Sequence, residues 1–103
     1  MATFRISAGS LKGYQLQSCP RKGTKIRSLY DLFLSNPLKP ISCVEIYSTG
    51  NIRHSRWYIM RGILQDYGLD IRSYTRGFYW LVGQYTENGY VDFFTFKKIN
   101  HSF

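Results

Sequence analysis

The 103-residue chain fits one domain, and its 44% hydrophobic and 17% aromatic residues supply enough apolar surface to offset the entropy of ordering, which excludes a disordered chain. With 14 Lys and Arg against 6 Asp and Glu, the formal charge is +8, a field that attracts polyanions and puts nucleic acid first among partners, although excess cations also serve solubility alone. Two cysteines, Cys19 and Cys43, are too few for a disulfide framework or a four-ligand zinc site, and no run is apolar enough for a signal peptide or membrane span, so a cytoplasmic protein with reduced thiols, no metal, no cofactor and no membrane partner is expected.

Residues 3–17 alternate as short strands, with Phe4 and Ile6, then Tyr14 and Leu16, separated by Gly9 and Gly13; a small N-terminal β-hairpin is predicted. Cys19-Pro20-Arg21-Lys22-Gly23 reads as a basic loop. Thr24 is placed to cap a first helix over residues 25–35, where Ile26, Leu29, Tyr30 and Phe33 fall on one face. Asn36-Pro37 ends it, since proline disfavours helical geometry in the residue before it. Ser42-Cys43-Val44-Glu45 is a capping box and Ile41 with Ile46 a hydrophobic staple, which together predict a second helix over residues 43–48, stopped at Thr49-Gly50-Asn51.

A third helix is predicted over residues 54–67. Met60, Ile63, Leu64 and Tyr67 cluster on one side with Trp57 and Ile59 flanking them, whereas His54, Tyr58, Arg61 and Gln65 cluster opposite, free to read a ligand. Gly62 lies between the faces at a cost of roughly 1 kcal/mol relative to Ala, either as a tolerated weak spot or as a place of close approach to a neighbour or a phosphate backbone. Residues 70–74 and 78–82 are strand runs joined by Thr75-Arg76-Gly77, and Asn88-Gly89 signals a second hairpin between residues 83–87 and 90–96. The expectation is therefore an α+β domain spanning residues 1–103: three helices, a three-stranded C-terminal antiparallel sheet over about residues 70–97, and the short N-terminal hairpin. That order of parts is what a winged helix-turn-helix needs.

The third helix and the hairpin after it supply groups suited to duplex DNA. Arg pairs bidentately with guanine and Gln with adenine in the major groove, so Arg56, Arg61 and Gln65, with His54 and Tyr58 toward the helix start, are candidate readers. Arg72 and Arg76, beside and in the hairpin turn, are candidates for phosphate or minor-groove contact, and Arg53, Lys39, Arg21, Lys22 and Lys25 are further phosphate candidates. Binding as a homodimer is expected, because one recognition helix buries little area. The aromatics Tyr74, Phe78, Tyr79, Trp80, Tyr85, Tyr90, Phe93, Phe94 and Phe96 also permit RNA or single-strand stacking, though such rings are more often the core of a small sheet. A third reading is a protein-binding inhibitor or adaptor that docks aromatic surface on a polymerase or other host enzyme. Catalysis is poorly supported: Asp31, Glu45, Asp66, Asp70, Glu87 and Asp92 show no pairing pattern, and His54 and His101 lie in unlike contexts.

One family shares this layout. Leu29-Tyr30-Asp31-Leu32-Phe33-Leu34-Ser35-Asn36-Pro37, Ile41-Ser42-Cys43-Val44-Glu45-Ile46, and Ile71-Arg72-Ser73-Tyr74 leading to Gly77 and Tyr79-Trp80-Leu81 resemble the effector domain of OmpR/PhoB-type winged-helix regulators over residues 24–82. The sequence departs from that pattern in having no receiver domain, no second wing glycine and an additional hairpin at Asn88-Gly89. The resemblance implies a recognition helix over residues 53–67 in the major groove and a wing over residues 72–77 near the backbone. It also implies a small standalone transcriptional regulator, of phage or mobile-element origin, that meets the transcription machinery.

Overall fold

The computed structural model describes residues 19–95; the predicted strands over residues 3–17 and the end of the predicted sheet at residues 96–97 lie outside them. Within the described residues the chain is α+β, in the order α1 (Lys25–Leu34), β1 (Ile41–Ser42), α2 (Cys43–Gly50), α3 (His54–Asp66), β2 (Leu69–Thr75), β3 (Phe78–Thr86) and β4 (Gly89–Asp92). Among the described residues no helix is long and apolar enough to cross a membrane.

Thr24 caps α1 as predicted, its hydroxyl accepting from the Arg27 N–H at 3.2 Å, and Leu29 and Phe33 carry the helix into the core. After Pro37 the chain turns at Leu38, whose φ of 61° lies in the left-handed region that an L side chain enters at a cost on the order of 1 kcal/mol. The turn lets the Leu38 N–H donate to the Leu81 carbonyl at 2.9 Å. That bond brings the segment alongside β3, and β1 follows, pairing Ile41 with Tyr79 and Ser42 with Phe78. Ser42 also caps α2, accepting from the Glu45 N–H at 3.1 Å, while Ile41 and Ile46 both enter the core. The helix runs two residues past the predicted end because Asn51, at φ 51° and ψ 53°, takes the left-handed cap conformation and leaves Gly50 helical. A Cβ at Gly50 would sit 3.0 Å from the Leu29 side chain, so glycine there lets α1 and α2 approach closely.

The packing face of α3 differs from the predicted one. Trp57, Met60 and Leu64 are its buried residues, whereas Ile59 and Ile63 are 54% and 37% exposed. Trp57 sets this rotation: its ring stacks on Phe33 at 5.9 Å and meets Tyr79 edge-on at 5.3 Å, and seating the largest apolar side chain outweighs seating either isoleucine.

The sheet has the order β1-β3-β2, antiparallel throughout, with β4 on β3 beyond β1. The three antiparallel strands expected of the carboxyl third are β2, β3 and β4, with β3 running unbroken for nine residues. The last hairpin is shifted by one residue: Thr86 pairs with Gly89, so Glu87 and Asn88 make the turn, and Gly89 takes a positive φ, 116°. Ile71 and Leu81 face the helices in a core with Leu29, Phe33, Ile41, Ile46, Trp57, Met60, Leu64 and Leu69. On the other side Tyr74, Trp80 and Phe94 form an edge-to-face row, with centroids 4.6 and 5.2 Å apart.

Candidate nucleic-acid interface

Cations from two distant parts of the chain meet where α3 begins. Lys25, the first residue of α1, lines a cleft of about 530 Å³ together with Asn51, Arg53, Ser55 and Arg56 from the α2–α3 turn and the first turn of α3. All three cations are exposed, and no carboxylate lines the cleft. Arg53 occupies the N-cap position of α3 and its side chain makes no cap hydrogen bond, so the first N–H groups of the helix lack a side-chain acceptor from the cap residue. Positive helix end and cationic side chains therefore reinforce one another there, which favours an anionic group. Neighbouring Arg27, by contrast, is occupied: it bonds both Asp31 carboxylate oxygens, at 3.0 and 3.1 Å, and the Pro20 carbonyl at 2.9 Å.

The remaining predicted site residues are distributed around α3 and the sheet. Arg56 and Arg61 are five residues apart and hence about 140° apart around the helix axis, so they occupy opposite flanks. On the sheet side, Arg61 donates from Nε to the Ile71 carbonyl at 3.2 Å and its guanidinium lies over the Tyr79 ring at 5.2 Å. Tyr58 is 64% exposed, and its hydroxyl is hydrogen-bonded to Tyr79, which raises the Tyr58 pKa above the ordinary phenol value. His54 is exposed beside Tyr47, ring centroids 6.5 Å apart, and Gln65 is half-buried. Tyr47 has its phenol pushed up to about 12, chiefly by burial and then by a hydrogen bond to Cys43.

Arg76 is exposed at the β2–β3 turn, which is pinned to the start of α2 by the Cys43 N–H donating to the Gly77 carbonyl at 2.9 Å. Because β1 pairs with the first two residues of β3, the turn ends level with β1 and does not project beyond the sheet. Arg72 stands apart from the rest. It pairs with Trp80 on the sheet face away from α3, and its guanidinium makes two hydrogen bonds to Asp70, at 3.0 and 3.2 Å. Asp70 is only 6% exposed and also accepts from the Tyr90 hydroxyl at 2.7 Å, while burial and that bond push the Tyr90 phenol well above its ordinary pKa. Tyr90 reaches Asp70 by crossing over Gly83, where any Cβ would clash with its ring.

The structure thus brings Arg53 and Arg56 together with Lys25, sets Tyr58 and Arg61 along the opposite flank of α3, and holds Arg72 in a network of its own. Sequence reasoning named Lys25 as a phosphate candidate but had no means of joining it to Arg53. It missed the outward exposure of Ile59 and Ile63; the bulk of Trp57 was the available signal. Among the described residues, no group of three or more His, Cys, Asp or Glu is placed to hold a metal ion. The chain matches no protein-family model, no curated protein and no solved structure.

Proposed function

We propose that the chain binds duplex DNA as a winged-helix module, with α3 as the helix that enters the major groove, and that it serves as a transcriptional regulator. The observation that carries this reading is the convergence of Lys25, Arg53 and Arg56 on one carboxylate-free cleft at the start of α3, in a chain of net charge +8. The element order supports it, with β1 on the edge of β3, a short turn between α2 and α3, and the β2–β3 hairpin directly after α3. On this reading Lys25, Arg53 and Arg56 contact phosphates along one groove wall, Arg61 and Arg76 approach the other, and Arg72 keeps the sheet in register rather than touching DNA.

The test is a competition titration by fluorescence anisotropy. A labelled duplex is expected to be displaced by unlabelled duplex and far less by the single strand of the same sequence. The Arg53→Ala and Arg56→Ala variants are each expected to weaken duplex binding on the order of tenfold. Single strand competing as well as duplex would favour the aromatic sheet as the binding face, and unchanged affinity in both variants would remove the cleft from the interface.

A further inference from the structure

The first two turns of α3 present an unexpected surface for a helix among cations. Tyr58 and Ile59 are 64% and 54% exposed, Ile63 is 37% exposed one turn beyond Ile59, and a Cβ at Gly62 would meet nothing within 4 Å. Arg61, the side chain best suited to guanine, is half-buried and tied to the Ile71 carbonyl and the Tyr79 ring. Apolar Ile59 and Ile63 thus share the outward side of the helix with Ser55, Gly62 and Asp66, while Arg56 and Arg61 lie on its two flanks. Asp66, on the outward side in the last turn, repels phosphate and confines any groove contact to the N-terminal half.

Resting on the duplex-binding reading, we infer that α3 recognises its site through the C5-methyl groups of thymine in the major groove. Thymine methyls are the apolar groups on base edges there, and apolar side chains contact them where polar side chains would seek N7, O6 or N6. Ile59 and Ile63, four residues apart, stand one above the other along the helix and so face neighbouring base pairs. Gly62 between them adds no side chain and lets the helix approach the groove floor. The occupant is fixed by charge: Lys25, Arg53 and Arg56 on one flank and Arg61 on the other suit a polyanion with two phosphate walls and a methyl-bearing floor. The recognised site is then rich in A·T pairs.

The experiment replaces thymine by uracil, which removes the methyl and nothing else. Duplexes bound by the protein are selected from a random pool, and the best site is resynthesised with uracil at each thymine in turn. At one or two positions binding is expected to weaken about fourfold per methyl lost, the effect of exposing one buried carbon. Ile59→Ala is expected to bind thymine and uracil duplexes alike, with its salt dependence unchanged. Equal binding of both duplexes by the wild-type protein overturns methyl recognition and leaves duplex binding standing. Failure to bind any duplex, with the same face buried by a protein partner instead, overturns both.

Discussion

Arg72 and Gly62 show how a residue can look functional for opposite reasons. A hairpin arginine beside a turn suggests phosphate contact, yet Arg72 is committed to a carboxylate that is 7% exposed at its side chain. Arg72→Ala leaves Asp70 with Tyr90 as its remaining side-chain partner and is expected to cost about 1–2 kcal/mol in a denaturant titration. Duplex affinity should stay within twofold of wild type; a larger loss would return Arg72 to the interface. Gly62 is the converse case. Helical glycine with open space around it is a stability defect, so Gly62→Ala should stabilise the fold by about 1 kcal/mol, roughly 4–8 °C in Tm for a domain of this size. The same methyl would stand between α3 and the groove floor, so duplex binding should weaken as Tm rises. Parallel gains in stability and affinity would show that the glycine is an idle weak spot.

The helices were readable because their signals are local: Thr24 and Ser42 cap the helices they were predicted to cap, and α1 and α3 end within a residue of their predicted limits. β1 escaped because two residues carry no periodicity; only β3, far along the chain, makes Ile41 and Ser42 a strand. The face of α3 was misjudged for a related reason. Apolar residues at 57, 59, 60, 63 and 64 cover much of the helix circumference, and which of them turn inward is decided by Phe33 and Tyr79 on other elements. Ser42 serves strand and cap at once, and Ser42→Ala should lower stability by about 1 kcal/mol. Tyr47 on α2 gives a pH signature. Its phenol is neutral in the fold up to about pH 12 but ionises near pH 10 in the unfolded chain. Its contribution to stability is therefore complete below about pH 10 and is lost as pH rises from there toward 12. Denaturant midpoints measured over that range should fall less steeply in Tyr47→Phe; identical slopes would show that Tyr47 is not among the groups responsible.

Net charge was legible in the composition, but its arrangement was not. A formal charge of +8 says only that a polyanion is favoured; that Lys25 meets Arg53 and Arg56, that Arg56 and Arg61 take opposite flanks of α3, and that Arg72 faces away follow from how α1 and the sheet pack on α3. Lys25, Arg53 and Arg56 gather on one flank of α3 and Arg61 lies on the other, which on the duplex-binding reading sets them against the two walls of a groove. The salt dependence of duplex affinity tests this most directly, because each phosphate contact made by a cation contributes about 0.9 to the slope of log K against log salt. Replacing Lys25, Arg53 and Arg56 together by alanine should lower that slope by about 2 to 3 in magnitude while Arg72→Ala leaves it unchanged. A triple variant with the wild-type slope, or wild-type binding that ignores salt, would contradict the account.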